Sequence, residues 1–371
     1  PKYLQFNIKS NYTELTISHC LQTLGTSLVG VFIPVYLFNQ GFSINEVILI
    51  LGLQNLFYLF HVILAPRIVN KLGVKHTMLS RDPVVILNLF LLKLVPINRL
   101  FAYFTILTQG MSMYYWIPFH YLFCKSITKK ELSGGYAFFS GARRFISFLS
   151  PLVGGAIVFF SSYQFLFNVS IIILLFSTIP LLFSKDLKVA LRLFDKKSFV
   201  KNVGLLMSIG INGVTSWSIH IFWPLVIFIK LGEPLSVGFL SSLMLLISVF
   251  ITYIISFSKK KHGYIVFSVA LGLLLFPLAS IISNEQSIIV LSLLLGLQDV
   301  LLSAPVILEF YTNEKTFKDL VLWREAFLHG FLGLFLLTIA LLPANLVVSG
   351  VFVLVAVLQV FFLSKIHKPL M

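Results

Sequence analysis

Charged side chains interrupt three long apolar runs of the sequence. Arg143 and Arg144 lie in one run, Asp299 in a second, and Arg324 with Glu325 in a third. A charge is costly inside a hydrocarbon layer, so one that occurs there is a candidate for binding a solute, carrying a proton or pairing with another charge. We predict Asp299 as a proton or cation site, and at least one of Arg143 and Arg144 as a contact for a solute or for coupling. A structural ion pair of Asp299 with Arg324 or Arg143 is the alternative.

A histidine follows the third of these charged positions at helical spacing. Glu325 and His329 are four residues apart and therefore share one face of a helix. Histidine titrates near neutral pH, so this pair has the chemistry to relay a proton. A structural hydrogen bond between the two is the alternative. The predicted coupling residues are Asp299, Arg324, Glu325 and His329.

Polar residues recur at helical spacing in other apolar runs. Ser208, Asn212, Ser216 and His220 are four residues apart and lie on one slowly drifting helix face. Serine in a membrane often bonds its own backbone, but an amide or imidazole side chain is harder to satisfy in that way. We therefore predict that such stripes line an aqueous cavity. The predicted substrate-binding residues are Gln109, Trp116, Arg143, Asn212, Ser216, His220 and Asp299.

The composition shows what surrounds these residues. Of 371 residues, 58% are hydrophobic and 11% are charged, and the mean hydropathy is +0.97. Soluble domains carry about 25% charged residues, so most soluble enzymes and disordered proteins are excluded. The net charge of +15 would suggest nucleic acid in a soluble protein, but here the basic residues lie between apolar runs and indicate membrane topology. We expect no nucleic-acid partner, no metal site and no cofactor.

Twelve apolar runs reach the length of about 20 residues that a helix needs to cross the hydrocarbon core. The predicted fold class is an all-α polytopic membrane protein. The predicted spans lie near 17–38, 45–65, 78–97, 100–123, 135–160, 163–183, 203–230, 235–257, 264–283, 287–310, 319–343 and 346–364.

The basic residues are divided unequally between the two sides of this topology. The loops on the side opposite the N-terminus hold only Lys93, Arg99 and Lys230, and the loops on its own side hold the others. Because loops rich in Lys and Arg stay in the cytosol, we expect both termini there and the chain in the cytoplasmic membrane. The basic loop 184–201 is predicted to lie on the anionic inner leaflet, with regulatory docking as the alternative.

The two halves of the chain share features at an offset of about 190 residues. Phe-Ile-Pro at 32–34 closes the first span and Phe-Trp-Pro at 222–224 closes the seventh, and each is followed by a glycine and a serine. Chance is the alternative to a duplication, but repeated halves are typical of transporters. The predicted organisation is an N-terminal half at 1–183, a basic cytosolic linker at 184–201 and a C-terminal half at 202–371.

The loop after the second span carries a family resemblance. It reads PRIVNKLGVK from position 66 to 75. This resembles the signature GxxxD(R/K)xGx(R/K) of the major facilitator superfamily, in which Lys71, Gly73 and Lys75 match and Asn70 replaces the acid. Glycine at 73 permits a tight turn with positive φ, and the lysines can reach lipid phosphates or helix C-termini.

Two further motifs support this resemblance. Residues 150–155 read SPLVGG, which is similar to the GPxxGG motif of that superfamily, and Gln109-Gly110 is similar to its RxxQG motif with Ile106 at the arginine position. Proline softens a helix, and paired glycines let helix backbones approach closely. We predict packing and gating roles for Pro151, Gly154 and Gly155, and for the four loop residues Asn70, Lys71, Gly73 and Lys75.

The resemblance implies two six-helix halves related by a pseudo-two-fold axis, which move a solute by alternating access. It also implies a cavity lined by the first, fourth, seventh and tenth spans. The family uses an acid where Asn70 stands and an arginine where Ile106 stands, so the resemblance supports the fold more strongly than proton coupling. The GPxxGG-like motif is associated with antiporters and favours efflux.

These observations predict a secondary transporter, not an enzyme, that exports a small organic solute in exchange for protons. The expected partners are the solute, the bilayer and protons, and the expected state is a monomer. A receptor or scaffold on a transporter fold is one alternative. A polytopic lipid-modifying enzyme is another, but the sequence has no DxD or HxxxxD string, and it lacks the P-loop GxxxxGK(S/T) that ATP-driven transport needs.

Overall fold

The computed structural model describes residues 10–126, 132–183, 194–258, 261–312 and 317–366, and these residues are helical apart from short turns. The helices of the first half are α1 (Ser10–Gly30), α2 (Phe32–Asn39), α3 (Ile44–Leu72), α4 (Val74–Leu79), α5 (Arg81–Leu94), α6 (Leu100–Gly110), α7 (Met113–Ser126), α8 (Leu132–Phe160), α9 (Tyr163–Ser177) and α10 (Ile179–Phe183). Those of the second half are α11 (Lys196–Trp217), α12 (Trp223–Leu231), α13 (Pro234–Phe257), α14 (Lys261–Ile281), α15 (Glu285–Thr312), α16 (Phe317–Ala340) and α17 (Val347–Ile366).

These helices form twelve consecutive segments, in agreement with the predicted topology. Ten segments within the described ranges are long and apolar enough to cross a membrane. The other two, α4–α5 and α6–α7, are each divided into two shorter helices, and for this reason neither is a single long apolar helix. We call the end of the bundle at which α1 begins and α17 finishes the terminal end, and the opposite end the distal end.

The apolar side chains divide between an inner core and an outer surface. Phe32, Trp223 and Phe352 are fully buried between helices, whereas Phe160 and Phe183 are 81% and 78% exposed. A surface of large exposed hydrophobic side chains is not sustained in water but matches a hydrocarbon environment. The protein is therefore an integral membrane protein.

Two helix pairs join the halves, and the predicted glycines lie in one of them. Helix α8 packs along α13, and α3 packs along α16. A Cβ atom on Gly155 would lie 2.9 Å from the carbonyl oxygen of Pro234, and one on Gly238 would meet the carbonyl oxygen of Pro151. Gly154 approaches the carbonyl oxygen of Leu28 in the same way. These positions need glycine because backbone faces backbone there.

The turns confirm one motif prediction and correct one boundary. Gly73 has a φ of +87°, and its N–H donates to Val69 before α4 begins. Residues 184–193 of the predicted linker 184–201 lie outside the described residues. Helix α11 begins at Lys196, within the predicted linker. Asp195 caps α11 by accepting a hydrogen bond of 2.8 Å from the backbone N–H of Ser198, and this bond lowers the pKa of Asp195. The residues of the predicted linker from Lys196 onward are thus helical, because an N-cap starts the helix there.

Candidate functional site

A cavity of about 450 Å³ lies between the two halves. The first half contributes side chains from α1 and α8, and the second half contributes side chains from α11, α13, α15 and α16. Six predicted site residues line it: Arg143, Asn212, Ser216, His220, Asp299 and Arg324. We call it the central cavity. Its volume lies within the range of about 300–1,000 Å³ that is typical of small-molecule sites.

Asp299, on α15, is held by two side chains of the seventh segment. Ser216 donates a hydrogen bond to Oδ1, and His220 Nε2 lies 3.0 Å from Oδ2. The predicted spacing of four thus brings Ser216 and His220 to one carboxylate. These contacts of Asp299 are thus with the seventh segment, and the alternative of a pair with Arg324 or Arg143 stays a prediction. Each of the two carboxylate oxygens therefore has one side-chain partner.

The helix of the seventh segment is wider than an α-helix at the turn that contains His220. Residues Ser218–Phe222 form a π-helical turn between α11 and α12. Pro224 has no N–H to donate to the carbonyl four residues earlier, which is that of His220, and the wider turn directly precedes it. Turns of this kind often occur at functional sites.

Arg144 connects the halves across the central cavity. It is 6% exposed, and its Nη2 donates a hydrogen bond of 3.1 Å to Ser303, which lies on α15. Its Nε has no hydrogen-bond partner among the described residues. The neighbouring Arg143 lines the same cavity.

A second cavity of about 290 Å³ adjoins the first toward the terminal end, and we call it the terminal cavity. Arg143, Ile307, Arg324 and Leu328 line both cavities. The predicted binding residue Trp116 lines this second space and is absent from the wall of the central cavity. The other lining residues are His19, Phe119, His120, Phe139, Ser140, Tyr311, Glu325 and His329.

Glu325 is the centre of a buried polar cluster beside the terminal cavity. The hydroxyl of Tyr58 donates a hydrogen bond of 2.8 Å to its Oε2, and Arg324 donates to its Oε1. Arg324 also donates to Nε2 of His120 at 2.7 Å, and Nδ1 of that histidine lies 2.6 Å from the Tyr311 hydroxyl. The cluster therefore joins α3 and α7 of the first half to α15 and α16 of the second.

The two nitrogens of His329 have different surroundings. Nδ1 lies 2.7 Å from Oδ1 of Asn55, an atom that only accepts, so Nδ1 carries a hydrogen. Nε2 lies 3.8 Å from Oε2 of Glu325, and the ring stacks on Tyr58 with centroids 3.5 Å apart. The predicted contact between Glu325 and His329 is present. A proton added to Nε2 would point at the carboxylate.

Gln109 is the predicted binding residue that lines neither of these two cavities. It lies at the end of α6, which finishes at Gly110. The polar neighbours of Gln109 on this helix face other helices, because Thr105 accepts a hydrogen bond from Gln54 and Thr108 accepts one from Asn88. The polar face of α6 therefore binds α3 and α5.

The motif residues of the loop lie at the terminal end. Asn70 and Lys71 are exposed at the end of α3. Lys75 Nζ donates a hydrogen bond of 2.7 Å to the carbonyl of Leu182, in the last turn of α10. This contact is the predicted interaction between a lysine and a helix C-terminus.

Sequence reasoning did not select several residues that the structure places in polar clusters. Tyr58 and Tyr311 belong to the Glu325 cluster, but a lone tyrosine in an apolar run gives no periodic signal. Arg81 and Asp82 form a buried ion pair at 3.7 Å, and Gln22 donates to the same carboxylate at 3.2 Å. In the sequence, Arg81 and Asp82 lie next to a basic loop, where charged side chains are usually solvated. Their burial becomes visible only in the folded structure.

Two helical halves with an apolar exterior and a polar cavity between them define a membrane transporter. The family model described as Major Facilitator Superfamily matches residues 15–313, and the chain belongs to this superfamily. The protein is therefore a transporter and not an enzyme, as the sequence motifs predicted.

A solved structure shares this fold over the whole chain. The crystal structure of the human organic anion transporter MFSD10 (TETRAN) superposes with a TM-score of 0.71 at 11% sequence identity, covering 98% of this chain and 99% of that one. Among curated protein sequences, none matches this chain. The likeness shows the fold, and the solute has to be inferred from the cavity.

Proposed function

We propose that this protein is a secondary active transporter that exports a small organic solute across the cytoplasmic membrane by alternating access, in exchange for protons. The observation that carries the proposal is the central cavity, to which both halves contribute buried polar side chains. The link from Arg144 to Ser303 crosses it. A solute bound there would contact both halves at once, as alternating access requires.

Contacts between the two halves, at each end of the central cavity, support the proposal of one gate at each end. At the distal end, Asn45 on α3 donates to the carbonyls of Ala340 and Leu342 at 2.9 and 2.7 Å. At the terminal end, His120 meets Tyr311. Each set joins the halves, so a solute reaches one side only when that side's contacts separate. We propose that the halves, 1–183 and 202–371, move as units in a monomer.

The Glu325 cluster is the proposed site of proton coupling. Protonation of Glu325 removes the negative charge that Arg324 and His329 face. The terminal-end contacts through Tyr58 and Arg324 are then weakened, so a proton favours opening at that end. Asp299 with His220 remains the second proposed coupling site.

The orientation of the chain follows from the distribution of its basic residues. Lys93, Arg99 and Lys230 are at the distal end, and Arg67, Lys71 and Lys75 are at the terminal end. The predicted topology places the other lysines and arginines of the loops on the side of the termini. We propose that the terminal end, with both termini, faces the cytosol.

Transport is tested with the purified full chain in liposomes that enclose a pH-sensitive dye. A panel of organic acids, amines, sugars and nucleosides is applied with and without a pH gradient. A transporter exchanges at least one labelled solute with its unlabelled form across the membrane, and a coupled one also moves protons when that solute is added. Correctly inserted protein that exchanges no member of the panel would contradict the proposed transport of a small organic solute.

A further inference from the structure

Three residues that line the central cavity carry buried polar atoms without a hydrogen-bond partner. Arg144 Nε, Asn212 Oδ1 and Ser241 Oγ have no hydrogen-bond partner within the described part of the chain. Their residues are 6%, 8% and 1% exposed, and all three line the cavity. Buried polar groups in folded proteins are nearly always paired, so a group of unpaired ones around one space is suited to a polar ligand.

The charges on the wall are unequal and select the sign of that ligand. Arg143, Arg144 and Arg324 supply three guanidinium groups, and Asp299 supplies one carboxylate. The oxygens of that carboxylate are already bonded to Ser216 and His220. Arg324 is already paired with Glu325. An ammonium ligand would meet more guanidinium groups than carboxylates on this wall, and a carboxylate that already contacts Ser216 and His220. A ligand with a negative charge would meet a guanidinium group whose Nε is unsatisfied.

Arg144 has the geometry that a carboxylate needs. Its Nη2 gives one hydrogen to Ser303 and has a second one, and Nε–H has no partner among the described residues. In a planar guanidinium group, Nε–H is parallel to one of the two Nη2 hydrogens. Two parallel N–H groups bind the two oxygens of a carboxylate side by side. The amide of Asn212 and the hydroxyl of Ser241 remain for a further polar group of the ligand.

Apolar side chains form another part of the wall, and they define the body of the ligand. Ile209, Ile221, Leu245, Ile307 and Phe310 line the same space. A cavity of about 450 Å³ accommodates a solute with one ring or a short chain but not a phospholipid or an oligosaccharide.

We propose that the central cavity binds an organic anion that has one carboxylate, one further polar group and an apolar body, with the carboxylate on Arg144. This inference rests on the proposed transport function and names its substrate class. Arg144 lies on the first half and Ser303 on the second, so an anion that takes part in this contact has access to the link between the halves.

The test is a binding titration of the purified full chain with matched triads of ligands. Each triad consists of a carboxylate, its amide and the corresponding amine on one body, such as 3-(4-hydroxyphenyl)propionate, 3-(4-hydroxyphenyl)propionamide and 3-(4-hydroxyphenyl)propylamine. We expect the carboxylate of at least one triad to bind ten times or more tighter than its amide, and the amine to bind weakest. Equal binding of all three members, tighter binding of the amine, or no binding of any carboxylate in the panel would overturn the proposal.

Variants locate the bound carboxylate. Arg144→Gln should reduce the preference for carboxylate over amide to less than twofold, and Arg144→Lys should restore only part of it, since a lysine lacks the planar fork. Asn212→Leu serves if the Arg144 variants do not fold, and it should weaken all ligands without removing the preference. Arg99→Gln, which changes an exposed arginine paired with Glu46 at the distal end, is the matched control and should behave as wild type. A preference that survives Arg144→Gln contradicts the assigned site.

Solute exchange in liposomes separates this inference from the proposed function. A carboxylate that binds but is not exchanged would contradict transport and leave the anion site intact. Exchange of a neutral solute that is unaffected by Arg144→Gln would contradict the anion site and leave transport intact.

Discussion

The hydroxyl of Tyr58 donates a hydrogen bond of 2.8 Å to the buried carboxylate of Glu325 and so joins the two halves of the transporter. The partners lie 267 residues apart in the sequence, on α3 and α16. The same carboxylate accepts from Arg324 and faces His120 and His329. One charged group therefore sets the contacts of four side chains at the interface, and its protonation state affects all of them.

Replacing Tyr58 by phenylalanine should loosen this interface. Tyr58→Phe removes the bond between halves while keeping the ring that stacks on His329. We expect a loss of about 1 kcal/mol in unfolding free energy and increased labelling of cysteines introduced at the terminal end. Denaturation in detergent and labelling by a water-soluble maleimide measure these two effects.

Tyr36→Phe is the matched control. Its hydroxyl is also buried and donates at 2.9 Å, but to the carbonyl of Leu92 within the first half. The same chemical change there should reduce stability without altering labelling at the terminal end. Equal labelling in the two variants would mean that the bond from Tyr58 to Glu325 does not hold the halves together.

The coupling role of Glu325 predicts a separation of two activities. Glu325→Gln keeps the shape and one hydrogen-bond acceptor but cannot gain or lose a proton. We expect solute exchange to persist, and accumulation driven by a pH gradient to fall at least tenfold. In the wild type, lower pH should also increase opening at the terminal end, because a protonated carboxyl group is a weaker acceptor for the Tyr58 hydroxyl of the other half, and this pH dependence should vanish in the variant.

Glu46→Gln controls for the loss of a carboxylate as such. Glu46 is partly exposed at the distal end, where it caps α3 and pairs with Arg99. Its variant should keep gradient-driven transport. If Glu325→Gln also keeps it, Asp299 becomes the remaining candidate for proton coupling.

Substitution of Asp299 distinguishes a supporting carboxylate from a ligand-binding one. Asp299→Asn keeps an acceptor for Ser216 and removes the only negative charge among the described residues that line the central cavity. If the solute is an anion, its affinity should rise by about two- to tenfold, because a repulsive charge is lost. Isothermal titration with the carboxylate ligand measures the change. A decrease in affinity would instead support the cation or proton site that the sequence suggests at this position.

Helix periodicity explains how much of the site was predictable. Ser216 and His220 were found because they lie four residues apart on one helix, and both reach Asp299. Tyr58 and Tyr311 were missed because their partners lie 267 and 191 residues away, and such contacts depend on how separate helices pack. Trp116 and Gln109 share a helical face by spacing, but α6 ends at Gly110 and α7 begins at Met113, so the face is not continuous.

The fold was predictable because the hydrocarbon core requires long apolar helices, and the sequence pattern displays them directly. The division of the segments α4–α5 and α6–α7 into two helices each was not predictable. The residues between the paired helices, Ser80 in the first segment and those at Met111 in the second, include neither proline nor glycine. The early start of α11 depends on the cap at Asp195, which is a local signal inside a loop that was interpreted by its charge alone.

Two glycines of α8 allow a test of how closely this helix packs on α13. Gly155→Ala places a Cβ 2.9 Å from the carbonyl oxygen of Pro234, so α8 and α13 must separate. We expect a loss of about 1–3 kcal/mol in unfolding free energy and reduced solute exchange, because this helix pair joins the halves. Gly141→Ala lies on the same helix, where nothing is within 4 Å of the added methyl group. Alanine is the better helix former by up to about 1 kcal/mol, so Gly141→Ala should be neutral or stabilising. If both variants lose the same stability, the effect comes from α8 itself and not from its packing on α13.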